Sequence, residues 1–199
     1  MSFSFGCSIS TAVKAGVAII VLAAAPMLQG CASSKTLGDG IDDFNAAQTV
    51  RRSLITDRSR DYSDIDITMF EGRLLLTGTM RSEDGRQQLV ANAWKAQNVK
   101  QVIDEIFVGD KTSIAQGIED GRIDAAIGTK LLTDRGVTSN DYEIAVSGGV
   151  VYMIGVARDE LALTRALNHA RSTAGVKKVV SHVIYKDDPS RNPGQYSRR

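Results

Sequence analysis

The segment Leu54-Ile55-Thr56-Asp57-Arg58 returns 77 residues later as Leu131-Leu132-Thr133-Asp134-Arg135, and the frame holds without a gap well beyond it. Gly72 falls on Gly149, Gly78 on Gly155, Arg81 and Glu83 on Arg158 and Glu160, and Val99-Lys100 on Val176-Lys177. Apolar positions agree in the same register: Val50 with Ile127, Leu74 with Val151, Leu76 with Met153, Ile106 with Val183. Identities and apolar matches in one frame mark a duplicated module, so each copy's pattern checks the other's.

Each copy opens with apolar residues at i, i+4 and i+8 (Ala46, Val50, Leu54; Ile123, Ile127, Leu131), the stripe of an amphipathic helix. Alternating stretches follow, Ile65-Asp66-Ile67-Thr68-Met69 and Tyr142-Glu143-Ile144-Ala145-Val146, which predict half-buried strands. Glu71-Gly72 and Gly148-Gly149 then read as two-residue hairpin turns, because a primed turn requires positive φ, which glycine reaches without penalty. The return strands, Leu74 to Met80 and Val151 to Ala157, carry Gly78 and Gly155 near their ends. A glycine inside a strand marks a bulge or a close approach, and its recurrence here suggests a site of helix packing. Ser82 and Asp159 are N-cap residues for second helices. Closing strands run from Val99 to Val108 and from Val176 to Tyr185.

The order is therefore α-β-β-α-β, twice. A crossover helix makes the second and third strands parallel while the hairpin is antiparallel. The expected fold class is α+β, two tandem modules, each a mixed three-stranded sheet covered by two helices. The expected boundaries are a leader over 1–30, a tether rich in Ser, Gly and Asp over 31–45, module 1 over 46–110, a linker over 111–121, module 2 over 122–187 and a disordered tail over 188–199.

The leader carries one charge, Lys14, then an apolar run from Ala15 to Ala25 that is too short to span a bilayer. Leu28-Gln29-Gly30-Cys31 places small residues before a cysteine. This resembles the lipobox of bacterial lipoproteins, which implies cleavage before Cys31 and a covalent diacylglycerol and N-acyl chain on that residue. Ala32 follows, without the aspartate that resembles an inner-membrane retention signal, so the expectation is the periplasmic face of the outer membrane. Cleavage leaves 23 basic and 23 acidic residues. That balance argues against nucleic acid, which demands a basic excess. Module 1 carries 9 basic and 10 acidic residues, while residues 111–186 carry 10 and 8.

Catalytic chemistry finds no convergent set. Cys7 goes with the leader and Cys31 with the lipid, which leaves no thiol for a nucleophile, a disulfide or a metal. His169 aligns with Asn92 and His182 with Glu105, so neither histidine belongs to a duplicated site. His169 is expected on an exposed helix face and His182 on a strand. Asp57-Arg58 and Asp134-Arg135 read as helix ends. The expectation is no enzyme, no metal and no other cofactor. The closing strands are apolar on both faces, with Val102 and Ile106 one way and Ile103 and Phe107 the other. One face covers the module's own helices, and either the sister module or a partner must cover the second.

The α-β-β-α-β pattern, the strand glycine and the Val-x-x-Val closing strand resemble the BON domain of bacterial envelope proteins, and two copies behind a lipobox resemble the dual-BON outer-membrane lipoproteins. That resemblance implies a non-enzymatic protein that binds membrane phospholipids, preferentially anionic ones, and supports envelope integrity. It assigns lipid contact to the first helix of module 2, about Asp120 to Asp134, where Arg122 and Lys130 would meet headgroups with Arg135 just beyond. The only tryptophan, Trp94, lies in module 1 instead. The alternative is an interaction or chaperone module whose apolar sheet face takes other envelope proteins.

Overall fold

The computed structural model describes residues 37–56, 61–110 and 112–191. Module 1 comprises α1 (Leu37–Thr56), β1 (Ile65–Phe70), β2 (Arg73–Met80), α2 (Glu83–Ala93) and β3 (Gln101–Val108). Module 2 repeats it as α3 (Ile114–Thr133), β4 (Tyr142–Ser147), β5 (Val150–Ala157), α4 (Glu160–Arg171) and β6 (Lys178–Tyr185). The α+β reading, with two mixed three-stranded sheets, is what the chain adopts. The sheet orders β1-β2-β3 and β4-β5-β6 place the hairpin's return strand at the centre, antiparallel to one neighbour and parallel to the other.

Three boundaries differ from the sequence reading. The stretch expected as a tether over 31–45 is helical from Leu37. The linker expected over 111–121 is helical from Ile114, with Ser113 as N-cap accepting from the Gln116 N–H. Within the tail expected to be disordered from 188, Pro189–Arg191 forms a 3-10 turn. In each case composition was outweighed by contacts from distant parts of the chain. The leader, Cys31 and the Asp57-Arg58 pair lie outside the described residues.

The period-two alternation sorts every strand into two faces. Odd positions of β1 and even positions of β2 and β3 (Ile67, Met69, Leu74, Leu76, Ile106) pack on Val50 of α1 and Leu89 and Ala93 of α2. Module 2 does the same with Val151 and Met153 against Ile123, Ile127, Ala166 and Ala170. The other faces meet each other. Phe70, Leu75 and Ile103 of module 1 close a third core with Ala145, Ile154 and Val156 of module 2. The sister module is thus the cover that the sequence left open, and the face proposed for a protein partner is occupied. Phe107 does not join this core and stands exposed at the end of β3.

Helix packing does not explain the recurring glycines. A Cβ at Gly78 would overlap the Asp64 carbonyl oxygen, and one at Gly155 the Asp141 carbonyl oxygen. The crowding element is the backbone entering the first strand of each sheet, which the central strand must let pass. Both turns are of the primed kind, with φ of 51° and 83° at Glu71 and Gly72 and of 62° and 81° at Gly148 and Gly149. Glu71 therefore holds a conformation that glycine adopts freely at the matching position.

Candidate membrane-contact face

The first helix of each module is fastened to its own hairpin by an aspartate that the sequence reading passed over. Asp43 accepts from the Glu71 and Gly72 N–H groups at 2.7 and 2.8 Å. Asp120 does the same for Gly148 and Gly149, at 2.7 and 2.8 Å. Both carboxylates are buried, and each sits seven residues into its helix. They are 77 residues apart, so the repeat frame carried the signal. A carboxylate on the apolar stripe beside Ile123 and Ile127 needs a partner. Asp120→Ala should lower stability by about 2–4 kcal/mol, since two charge-assisted bonds vanish and two turn N–H groups lose their acceptor. Asp120→Asn keeps one acceptor and should cost less. Urea unfolding of the two variants measures the difference.

The far end of α3 is fixed to α4. Asp134, at the C-cap, accepts from Arg165 at 2.8 and 3.1 Å and from the Gly136 N–H at 2.8 Å, and lies 2.7 Å from His169 Nε2. Arg165 first, then His169 and the Gly136 N–H, hold its carboxyl well below the usual range. A depressed carboxylate contributes stability above its unfolded pKa, about 4, and loses it only as pH falls from there toward the lower folded value. His169 is thus half-buried in a structural cluster rather than on an exposed face.

Pinned at both points, α3 turns Ile123, Ile127 and Leu131 inward and presents a second apolar stripe outward. Ile114, Ile118 and Leu132 are 86, 71 and 74% exposed, and helical spacing sets Ala125 between them. The cations named for this helix differ in their surroundings. Arg122 forms an exposed two-pronged pair with Glu119, at 2.6 and 3.0 Å, of a kind worth little in water. Lys130 does not point at solvent freely: its ammonium donates to Thr173 Oγ1 at 2.8 Å and to Ser172 at 3.3 Å, closing the end of α4. Arg135 is exposed just past the helix. Trp94 is exposed beyond α2.

Polar contacts also cross between the modules. Arg73 donates to the His182 carbonyl at 2.6 Å, and His182 Nε2 lies 2.9 Å from Glu105. Glu105 and His182 occupy the same place in the two copies, so their meeting is what an approximately two-fold arrangement produces. Arg191 of the 3-10 turn grips Glu71 at 2.6 and 2.8 Å. Among the described residues no three His, Cys, Asp or Glu side chains cluster as metal ligands, and no helix is long and apolar enough to cross a membrane.

Comparison with known proteins agrees with this architecture. The model of the BON domain matches residues 42–110 and 119–187, and its first match begins inside the stretch that composition had given to the tether. An uncharacterized protein in the gshII 5′ region of Anaplasma centrale is 36% identical over 126 residues, covering 63% of this chain and 83% of that one. The outer membrane lipoprotein DolP of Haemophilus influenzae is 26% identical over 184 residues, covering 84% and 95%. A 21 kDa hemolysin of Actinobacillus pleuropneumoniae is 28% identical over 155 residues, covering 76% and 78%.

Proposed function

The chain belongs to the BON-domain family, and from that premise we propose that it is a non-enzymatic lipoprotein of the outer membrane. Diacylglycerol and an N-acyl chain on Cys31 hold it to the periplasmic face. The outward face of α3 binds phospholipid, preferentially anionic, and the protein thereby supports envelope integrity. The observation that carries this reading is the exposed stripe of Ile114, Ile118 and Leu132. Such a stripe is costly in water and is accommodated where an interfacial helix lies in the headgroup boundary. Arg122 can exchange Glu119 for a lipid phosphate, and Arg135 is placed to reach a second; Lys130 keeps its role at the end of α4. The lipoprotein DolP of H. influenzae, matched along nearly all of its length, supports the location.

Flotation of the chain beginning at Ala32 tests this. It should rise with phosphatidylglycerol vesicles and much less with phosphatidylcholine. Each of Ile118→Asp and Leu132→Asp should weaken flotation about tenfold, since burying such a side chain contributes about 1.5–3 kcal/mol. Arg122→Glu with Arg135→Glu should remove the preference for anionic lipid. Flotation that ignores all four changes, or no flotation on either vesicle, would sink the α3 reading.

A further inference from the structure

Module 1 repeats the outward apolar face in its own first helix. Ile41 occupies the position of Ile118, and Phe44 follows one turn later where module 2 has Gly121. Ile41 and Phe44 are 63 and 61% exposed, although Ala46, Ala47 and Val50 on the opposite side are buried. The aromatic residue missing from α3 is therefore present on α1.

Chain length says what this patch meets. Because α1 begins at Leu37, only five residues separate it from Cys31. Even fully extended, they span at most about 20 Å. The first turns of α1 are thus the part of the fold held nearest to the acylated cysteine. Placement in the sandwich agrees. α1 packs chiefly on β1 and α3 on β4, and β1 adjoins β4, so the two first helices flank one edge of the molecule. A cleft of about 370 Å³ beside Phe44 reaches across that edge to Glu143 and Ile144 of β4.

We propose that α1 is a second membrane contact, in which Ile41 and Phe44 insert into the bilayer that carries the Cys31 lipid. This rests on the reading of the chain as a lipoprotein. The contact is apolar in character: residues 37–50 include three aspartates and no lysine or arginine, and Asp43 is turned inward to the hairpin. It therefore gains nothing from anionic lipid, unlike the α3 face, and a phenylalanine on the apolar face of an interfacial helix suits it.

The test uses the full lipidated chain, with Trp94→Phe to clear the background and a single tryptophan placed by Phe44→Trp, Leu132→Trp or, as a control on α2, Gln87→Trp. Each is reconstituted in vesicles whose acyl chains carry bromine, and mass spectrometry of the same samples reports acylation of Cys31. Tryptophan at 44 should be quenched and blue-shifted, at least as strongly in phosphatidylcholine as in phosphatidylglycerol, while tryptophan at 87 is not. Emission from position 44 that matches the control in an acylated chain overturns the proposal, whatever position 132 reports. Quenching at 44 without quenching at 132 upholds it and removes the α3 reading instead. A chain without acyl mass removes the lipoprotein reading itself, and the proposal with it.

Discussion

A Cys31→Ser chain whose leader is still removed, by exchange for one cleaved without lipid, is expected to leave the membrane fraction almost completely. The surface proposed to meet lipid offers a few apolar side chains and two exposed arginines, a set comparable to one acyl chain, and a single acyl chain gives only marginal binding, on the order of 10⁴ M⁻¹. Stable anchoring needs more than one such signal, which the acyl groups on Cys31 would supply. With the lipid in place, the surface contacts become intramolecular, at an effective concentration on the order of millimolar for a short connection. Contacts that recruit a free protein only weakly are then enough to orient an anchored one. Fractionation with mass spectrometry of the wild-type and serine chains measures the effect. A serine chain that remains membrane-bound, or a wild-type chain without acyl mass, would refute the anchor. The serine chain should still float weakly on anionic vesicles, because the α3 face does not depend on the lipid.

What the sequence disclosed was local, and what it concealed was distant. The hairpins at Glu71-Gly72 and Gly148-Gly149 and the N-caps at Ser82 and Asp159 depend on neighbours within a few residues, so the pattern was enough to find them. The start of α1 depends on Asp43 meeting a turn 28 residues away. Composition around Gly38, Asp39 and Gly40 suggests a tether because it cannot register that bond. The glycines of β2 and β5 were legible as sites of close approach, but not which element approaches, since Asp64 and Asp141 come near only when the sheet is assembled. The α3 face was half legible: Ile123, Ile127 and Leu131 announce a core stripe, and Ile114, Ile118 and Leu132 on the other side show as a surface only when the burial is known. The hydrogen bonds of Lys130 were not legible, because its acceptors, Ser172 and Thr173, lie more than 40 residues away.

The largest effect on stability is expected at Ile154. Its side chain is fully buried between the two sheets, with Phe70 and Leu75 of module 1 opposite. Ile154→Asp removes an aliphatic group worth about 2–5 kcal/mol on truncation alone and puts a carboxyl where nothing apolar can compensate it. A module of this size buries too little surface to be comfortably stable by itself. Each therefore leans on the shared core, and damage on one side should be felt on the other. Trp94 makes this measurable, because the only tryptophan lies in module 1 while the substitution is in module 2. If the sheets form one cooperative unit, Ile154→Asp will move the tryptophan transition in urea to markedly lower concentration. A tryptophan transition that stays at the wild-type midpoint while module 2 unfolds early would mean that the modules fold independently. The apolar sheet face would then be available again to a protein partner. A shifted transition leaves the outward faces of the helices as the surfaces through which this protein meets its surroundings.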